Sequence, residues 1–92
     1  MQIEVTGRKI DLTDSIKQHT NAAFGKLNDH YSGISATLTF EKDNHIFRAH
    51  TEYRCDRGEL YVADAEDNDL YHAIDLACDK LRRQMSSKKT TH

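Results

Sequence analysis

The last part of the chain is rich in basic residues. Lysine and arginine side chains bind phosphate oxygens, and several of them on one surface are typical of an RNA-binding protein. From position 80 onward there is no acidic residue, and the basic ones are Lys80, Arg82, Arg83, Lys88 and Lys89. The formal net charge of the whole chain is −2, but a nearly neutral protein can still present one strongly positive face. The charge distribution therefore indicates a phosphate-binding surface near the C-terminus.

These basic residues are expected to share a surface with an earlier helix. On a helical wheel of about 100° per residue, Lys26 falls on the flank of a first helix, close to His19. Lys80 falls on the same relative flank of a last helix. Arg83 lies roughly one turn beyond Lys80, whereas Arg82 falls on the other flank. We therefore predict one outer surface that contains Lys26, Lys80 and Arg83.

Other charged residues bear on this prediction in both directions. Arg8 and Lys9 precede the first helix and would extend the surface. Arg48 and Arg54 lie on the wet side of a strand, on the opposite face of the sheet. Acidic residues on the same helices count against a uniformly positive surface, and they are Asp29, Asp75 and Asp79. The alternative is that basic residues on helix flanks only increase solubility, and the residues alone leave both interpretations open.

Residue types used in catalysis occur without a recognisable catalytic spacing. There is no nucleophile motif around a serine or cysteine, no glycine-rich phosphate loop and no zinc-binding pattern. Six histidines are present, and we interpret them as solvated or helix-flank residues rather than metal ligands. The acidic residues Glu66, Asp67 and Asp69 are explained by helix capping. We therefore predict a protein that is not an enzyme and that binds no metal or cofactor.

Cysteine usage and hydropathy bear on the cellular compartment. We interpret Cys78 as a buried thiol within a helix and Cys55 as a turn residue, with no disulfide between them. No apolar run approaches the roughly 20 residues that a membrane helix needs. Residues 1–4 lack the basic start and the apolar stretch of a signal peptide. We expect a cytoplasmic protein.

Apolar periodicity predicts the elements that position these side chains. Alternating segments predict strands at 3–6, 34–41, 47–54 and 60–65. Helical spacing behind good capping residues predicts helices at about 14–29 and 69–85. In the fourth strand Leu60 and Val62 favour one phase. Ala63 and Ala65 favour the opposite phase, and a bulge near Asp64 would reconcile the two.

The order β-α-β-β-β-α predicts a two-layer α+β domain. The first β-α-β unit implies parallel strands joined by a right-handed crossover, and the two later turns imply an antiparallel meander. Both amphipathic helices need an apolar partner, so we predict that they lie side by side on one face of a four-stranded mixed sheet. Residues 1–92 are expected to form a single domain, with a flexible basic tail from about residue 87.

The element order and several motifs resemble known RNA-binding proteins. The order resembles a double-stranded RNA-binding domain preceded by an extra strand. The segments IEVTGR at 3–8, IDLT at 10–13 and AFGKL at 23–27 resemble the ribosome hibernation promoting factors and the related ribosome-associated inhibitor protein Y. The strongest matches are DLYHAID at 69–75 and DKLRRQM at 79–85. They resemble the family patterns Asp-Met-Tyr-x-Ala-Ile-Asp and Asp-Lys-Leu-x-Arg-Gln-Leu, and the resemblance covers nearly the whole chain.

This resemblance implies a factor that binds the decoding region of the small ribosomal subunit. There it would occupy the path of messenger RNA and the places where transfer RNA sits, which blocks translation. Carried over by position, the resemblance makes Lys26, Lys80 and Arg83 the best candidates for rRNA contacts. The second-rank candidates are Arg8, Lys9, Arg82, Lys88 and Lys89. Asp69 and Tyr71 also match the family pattern. We expect structural roles for them, Asp69 at a helix start and Tyr71 packed at a helix edge.

The length of the chain resembles that of the short members of this family. It lacks the C-terminal dimerisation domain of the long hibernation factors and the acidic tail typical of protein Y. The resemblance implies that it acts with a small partner, ribosome modulation factor, to pair inactive ribosomes in stressed, stationary-phase cells. The free protein is then expected to be a monomer. The alternatives are a general double-stranded RNA-binding module that acts outside the ribosome, and a small enzyme or protein–protein adaptor.

Three positions depart from the family pattern. Gly25 weakens the first helix by about 1 kcal/mol relative to alanine. Asp64 and Asp67 make the approach to the last helix more acidic than the pattern. These departures leave the fold prediction intact and weaken the prediction of RNA contacts near that loop.

Overall fold

The chain forms strands and helices in the predicted order. The computed structural model describes residues 1–89, without the side chains of Lys88 and Lys89. Its elements are β1 (Gln2–Arg8), α1 (Asp14–His30), β2 (Gly33–Asp43), β3 (Ile46–Cys55), β4 (Leu60–Asp67) and α2 (Leu70–Lys89). Each predicted element is confirmed, with longer bounds. Residues 87–89, where a flexible tail was predicted to begin, belong to α2, and residues 90–92 lie outside the described part.

The described strands form one mixed sheet with the spatial order β1-β2-β3-β4. β1 pairs with β2 in parallel, which is the geometry that a β-α-β unit requires. β2 and β3, and then β3 and β4, are antiparallel neighbours. Both helices pack on the same face of this sheet, with α1 against β1 and β2 and with α2 against β3 and β4. The predicted two-layer α+β architecture is therefore confirmed.

β4 is a regular strand and lacks the bulge near Asp64 that the sequence suggested. β4 pairs with β3 in unbroken register. Ala63 and Ala65 lie on the buried face, while Leu60 and Val62 lie on the open face with exposures of 46% and 40%. The predicted bulge is therefore wrong, and the one register shift between β2 and β3 lies at the start of β2, next to Gly33. Side-chain size explains the error, because the smaller residues of β4 are the buried ones.

Small residues line the contact between α2 and the sheet. Ala49 on β3 lies opposite Ala65 on β4, and both are buried, as are Ala73 and Ala77 on α2. Alanine on both sides lets helix and strand backbones approach closely without leaving voids. The large buried side chains, Phe24, Leu38, Phe40, Tyr53, Ile74 and Leu81, fill the rest of the core. α2 consequently packs closely along β3 and β4.

Both helices begin with the caps that the sequence predicts. Thr13 precedes α1, and its side-chain oxygen accepts a hydrogen bond from the Ile16 N–H at 3.3 Å. Asp69 precedes α2, and its carboxylate accepts from the Tyr71 N–H at 3.0 Å. Such a bond satisfies one of the free N–H groups at a helix start and stabilises it by about 1 kcal/mol. The structural role expected for Asp69 is confirmed.

Buried polar groups in the core have hydrogen-bond partners. The Thr20 hydroxyl donates to the Ile16 carbonyl oxygen at 2.8 Å, and the Thr51 hydroxyl donates to the Ala63 carbonyl oxygen at 2.8 Å. The Tyr53 hydroxyl donates to the carbonyl oxygen of Tyr31, which ends α1. Burial raises the pKa of Tyr53 to about 12, so this group remains a donor. The Tyr53 bond ties the end of α1 to the centre of the sheet.

The two cysteines are not joined by a disulfide. Cys78 is buried within α2, as predicted, and burial raises the pKa of its thiol to about 12. The thiol therefore stays protonated near neutral pH and is a poor nucleophile. Cys55, predicted in a turn, is instead the last residue of β3, and its sulfur lies 3.8 Å from that of Met85.

Two glycine substitutions should have opposite effects on stability. In Gly25→Ala the new methyl group meets no heavy atom within 4 Å, so the variant should gain about 0.5–1 kcal/mol in the free energy of unfolding. In Gly33→Ala the methyl group would lie 2.6 Å from the Tyr53 hydroxyl oxygen, and Tyr53 is buried and hydrogen-bonded. That variant should lose about 1–3 kcal/mol. Urea unfolding of both variants checks this, and unchanged stability of Gly33→Ala would show that Tyr53 shifts freely.

Candidate functional site

Two basic and three acidic side chains line a groove between α1 and α2. We call it the interhelix groove, and its lining residues are Ala23, Lys26, Leu27, Asp29, His30, Tyr31, Asp75, Cys78, Asp79 and Arg82. Lys26 comes from the exposed flank of α1, and Arg82 comes from the second half of α2. The groove thus brings together two basic residues that are distant in the sequence.

Asp79 lies beside two of the arginines. One of its carboxylate oxygens is 2.7 Å from Nη2 of Arg82, and the other is 2.9 Å from Nε of Arg83. The hydrogen bond from Arg82, assisted by the charges of both arginines, lowers the pKa of Asp79. The Asp79 side chain is 32% exposed, against 53% for Arg82 and 73% for Arg83. The carboxylate is therefore more enclosed than the two guanidinium groups that it contacts.

Lys80 lies on the other side of α2. Its ammonium donates to the Asp64 carbonyl oxygen at 2.7 Å, and Gln84, one turn later, donates to the Val62 carbonyl oxygen at 2.9 Å. Both carbonyls belong to β4, which is an edge strand of the sheet. These side chains therefore occupy hydrogen-bonding groups that an edge strand leaves unpaired.

The predicted grouping of basic residues is thus wrong in one respect. Lys26, Lys80 and Arg83 were expected on one flank, with Arg82 on the other. Arg82 shares the interhelix groove with Lys26, whereas Lys80 points to the edge of β4. The reason is that a helical wheel fixes angles within one helix and does not show which neighbour lies on which side. Arg83 lies between these two flanks of α2, and its guanidinium group contacts Asp79.

The remaining predicted basic residues lie outside the groove. Arg8 ends β1 on the open face of the sheet, in a shallow depression shared with Arg48. It therefore does not extend the helix surface as expected. Lys9 follows β1 with a φ of 60° and is exposed. The backbones of Lys88 and Lys89 belong to the last turn of α2, and their side chains lie outside the described part of the structure.

The open face of the sheet carries a cluster that sequence reasoning missed. Nδ1 of His50 is 2.5 Å from a carboxylate oxygen of Asp64, and Nε2 is 3.3 Å from Glu52. The hydrogen bond with Asp64 is the main cause that raises the pKa of His50. Beside them Arg48 pairs with Glu66 at 3.2 Å. The alternation of β3 and β4 already placed these residues on one face of the sheet. A prediction of the register of the β3–β4 hairpin would also have shown that they are neighbours.

Two other histidines pair with carboxylates near the helices. Nε2 of His19 on α1 is 2.8 Å from a carboxylate oxygen of Asp75 on α2, and its ring packs edge-on against Tyr71. This confirms the expected position of Tyr71 at a helix edge. His72 pairs with Asp67. These contacts link α1 to α2 and α2 to the end of β4.

Residues 1–89 contain neither a metal-binding cluster nor a membrane-spanning helix. Histidine, cysteine and acidic side chains form no group of three or more that is arranged to hold a metal ion. No helix in this range combines the length and the apolar character needed to cross a membrane.

Comparison with known proteins agrees with the resemblance seen in the sequence. The family model of the Sigma 54 modulation protein / S30EA ribosomal protein family matches residues 3–92. The ribosome hibernation promoting factor of Escherichia coli K12 is 34% identical, over 97% of this chain and 94% of its own length. The ribosome hibernation promotion factor of Bacillus subtilis is 28% identical, over 98% of this chain but only 49% of its own length.

Solved structures share this fold. The protein Y N-terminal domain of Thermus thermophilus superposes with a TM-score of 0.86 at 29% identity, covering 95% of this chain and 98% of that one. A ribosomal subunit interface protein of Coxiella burnetii superposes with a TM-score of 0.85 at 23% identity, which shows a common fold. Sequence and structure agree, and the chain belongs to the Sigma 54 modulation protein / S30EA ribosomal protein family, the family of the ribosome hibernation promoting factors.

Proposed function

We propose that this protein is a ribosome hibernation factor that binds the decoding region of the small ribosomal subunit. It blocks messenger RNA and transfer RNA there by occupying their sites, without catalysis. The observation that carries the proposal is the interhelix groove, where Lys26 of α1 and Arg82 of α2 line one surface beside Arg83. Guanidinium and ammonium groups in such an arrangement suit the phosphates of a folded RNA.

The distribution of charge supports an orientation with the helices towards RNA. Positions 2–8 and 33–67, which form the sheet and its turns, hold nine acidic and five basic residues. The other positions hold six acidic and eight basic residues. Phosphates attract the second group and repel the first. The helix side is therefore the side that we propose for rRNA contact.

The chemistry of the open sheet face disfavours a single-stranded RNA site. Sheets that bind single strands stack bases on exposed aromatic rings. On the open face of this sheet, within residues 1–89, the outward positions carry polar, charged and aliphatic side chains such as Thr37, Glu52 and Val62. Phosphate recognition from the helix side fits the described residues better than base stacking from the sheet side.

The names of the relatives support the wider proposal. The proteins of Escherichia coli and Bacillus subtilis are named for ribosome hibernation, and the Coxiella burnetii structure is described as a ribosomal subunit interface protein. We propose that this chain acts in the cytoplasm, is a monomer when free, and acts with ribosome modulation factor to promote inactive ribosome dimers. The proposed rRNA contacts outside the groove are Lys80, Lys9, Lys88 and Lys89, whereas Arg8 lies on the open sheet face and is left out of the proposed interface.

Inhibition of translation should be stoichiometric. A protein that acts by occupying a site must be present at about one copy per ribosome, whereas an enzyme would act at far lower ratios. Titration into a cell-free translation reaction with a known ribosome concentration measures this ratio. Half-maximal inhibition at a small fraction of one copy per ribosome would rule out occlusion as the mechanism.

Removal of the groove cations should weaken binding to small subunits. Lys26→Ala combined with Arg82→Ala should reduce affinity at least tenfold, because two phosphate contacts are lost. The slope of log affinity against log salt should fall by about 1.5. The matched control is Lys17→Ala combined with Lys42→Ala, which removes the same charge from an exposed position of α1 and the end of β2. The control should bind nearly as well as the wild type.

The measurement is co-sedimentation with purified small subunits across a salt series, alongside a thermal melt of each variant. Both double variants change exposed side chains and each removes one weak contact, that of Arg82 with Asp79 or that of Lys42 with the Phe47 ring. The stability of each should therefore stay within about 1 kcal/mol of the wild type. Equal losses of binding in both would mean that bulk charge drives the interaction. Plain duplex RNA, tested in parallel, separates this function from a general double-stranded RNA-binding module, which would bind both ligands equally well.

A further inference from the structure

Three carboxylates line the proposed phosphate-binding groove, those of Asp29, Asp75 and Asp79, and Asp79 is the one that pairs with arginines. Asp79 is the last acidic residue of the chain, and it lines the groove together with Lys26 and Arg82. A negative charge at this place repels the phosphates that the groove is proposed to bind. The Asp79 carboxylate is ionised throughout the neutral range, as an ordinary aspartate is, and the hydrogen bond from Arg82 lowers its pKa further. General affinity for RNA would be higher without it.

The geometry of Asp79 shows what it contributes instead. It contacts Nη2 of Arg82 with one oxygen and Nε of Arg83 with the other, at 2.7 and 2.9 Å. A guanidinium group carries five N–H donors in a rigid plane, so each arginine keeps most of its donors for another ligand. The arginines are also more exposed than the carboxylate between them. Asp79 thus fixes two guanidinium groups relative to each other and leaves their outer edges accessible.

We propose that Asp79 is a positioning residue that sets the RNA specificity of this surface. It holds Arg82 and Arg83 in an arrangement that suits phosphates at fixed positions in folded ribosomal RNA. Its charge disfavours RNA that does not supply a phosphate to both arginines at once, since the repulsion is then not offset. Specificity is a difference between two affinities, and a repulsive group that penalises the wrong ligand increases it. This inference rests on the function proposed above.

Asp75 provides a matched control on the same helix. It lines the same groove and lies one turn before Asp79. Its carboxylate pairs with His19 on α1, at 2.8 Å, and has no arginine partner among the described ion pairs. Asp75→Asn and Asp79→Asn therefore remove the same charge from the same groove. Only the second frees the arginines.

The experiment measures the affinity of each variant for two ligands at one salt concentration. One ligand is the purified small subunit, and the other is a plain RNA duplex of about 16 base pairs. In Asp79→Asn the ratio of the two affinities should fall about tenfold in favour of the duplex. In Asp75→Asn both affinities should rise together, with the ratio within about twofold of the wild type. Asp79→Glu should restore most of the ratio, because glutamate also pairs with arginine three and four residues later on a helix.

The possible outcomes separate this inference from the proposed function. An unchanged ratio in Asp79→Asn would overturn the inference, whether both affinities rise together or neither changes. An equal fall of the ratio in Asp75→Asn would also overturn it, because loss of charge alone would then explain the effect. A wild-type protein that binds the duplex as tightly as the small subunit would overturn the proposed function itself.

Discussion

Close packing of α2 on the sheet determines where the functional side chains lie. The buried alanines of β3, β4 and α2 allow the backbones to approach closely, and a larger residue at Ala63 or Ala77 would lift the helix. With α2 held flat, one of its flanks lies along the edge of β4 and the other faces α1. Lys80 and Gln84 consequently reach the β4 carbonyls. Arg82 is turned towards α1 and the interhelix groove.

The two faces of the domain differ in their electrostatic character. The open sheet face holds charges that neutralise one another across strands, as in the pair of Arg48 with Glu66 and the contacts of His50 with two carboxylates. Outside the sheet and its turns the sequence has eight basic and six acidic residues, with the side chains of Lys88 and Lys89 outside the described part, and Asp79 contacts two of the basic residues. A protein that is nearly neutral overall can therefore have one side suited to phosphates. In the proposed complex, the acidic surplus of the sheet positions disfavours an orientation with the sheet towards RNA.

The sequence predicted the architecture because its patterns are regular. Alternation in β2 and β3, capping at Thr13 and Asp69, and the helical spacing of apolar residues all agree with the structure. The phase of β4 could not be predicted from hydrophobicity. Close approach of α2 selects alanine for the buried side, and the larger Leu60 and Val62 are left on the open face. Periodicity carries no information about the distance between two layers.

The candidate site was only partly predictable, for a related reason. Lys26 and Arg83 could be recognised as exposed basic residues, but the separation of Lys80 from Arg82 depends on how α2 lies between α1 and β4. The double contact of Asp79 follows from its spacing of three and four residues to the arginines. That spacing was visible in the sequence, where Asp79 counted only as a charge against RNA binding. In the proposed site, its contacts with Arg82 and Arg83 give Asp79 the role of positioning the two arginines.

The proposed function depends above all on the orientation of the helix side towards ribosomal RNA. A cryo-electron microscopy reconstruction of the protein bound to the small subunit tests it most directly. We expect Lys26, Arg82 and Arg83 within hydrogen-bonding distance of rRNA phosphates in the decoding region, with the open face of the sheet turned away from RNA. A bound protein whose open sheet face contacts the RNA, with the interhelix groove exposed to solvent, would contradict it.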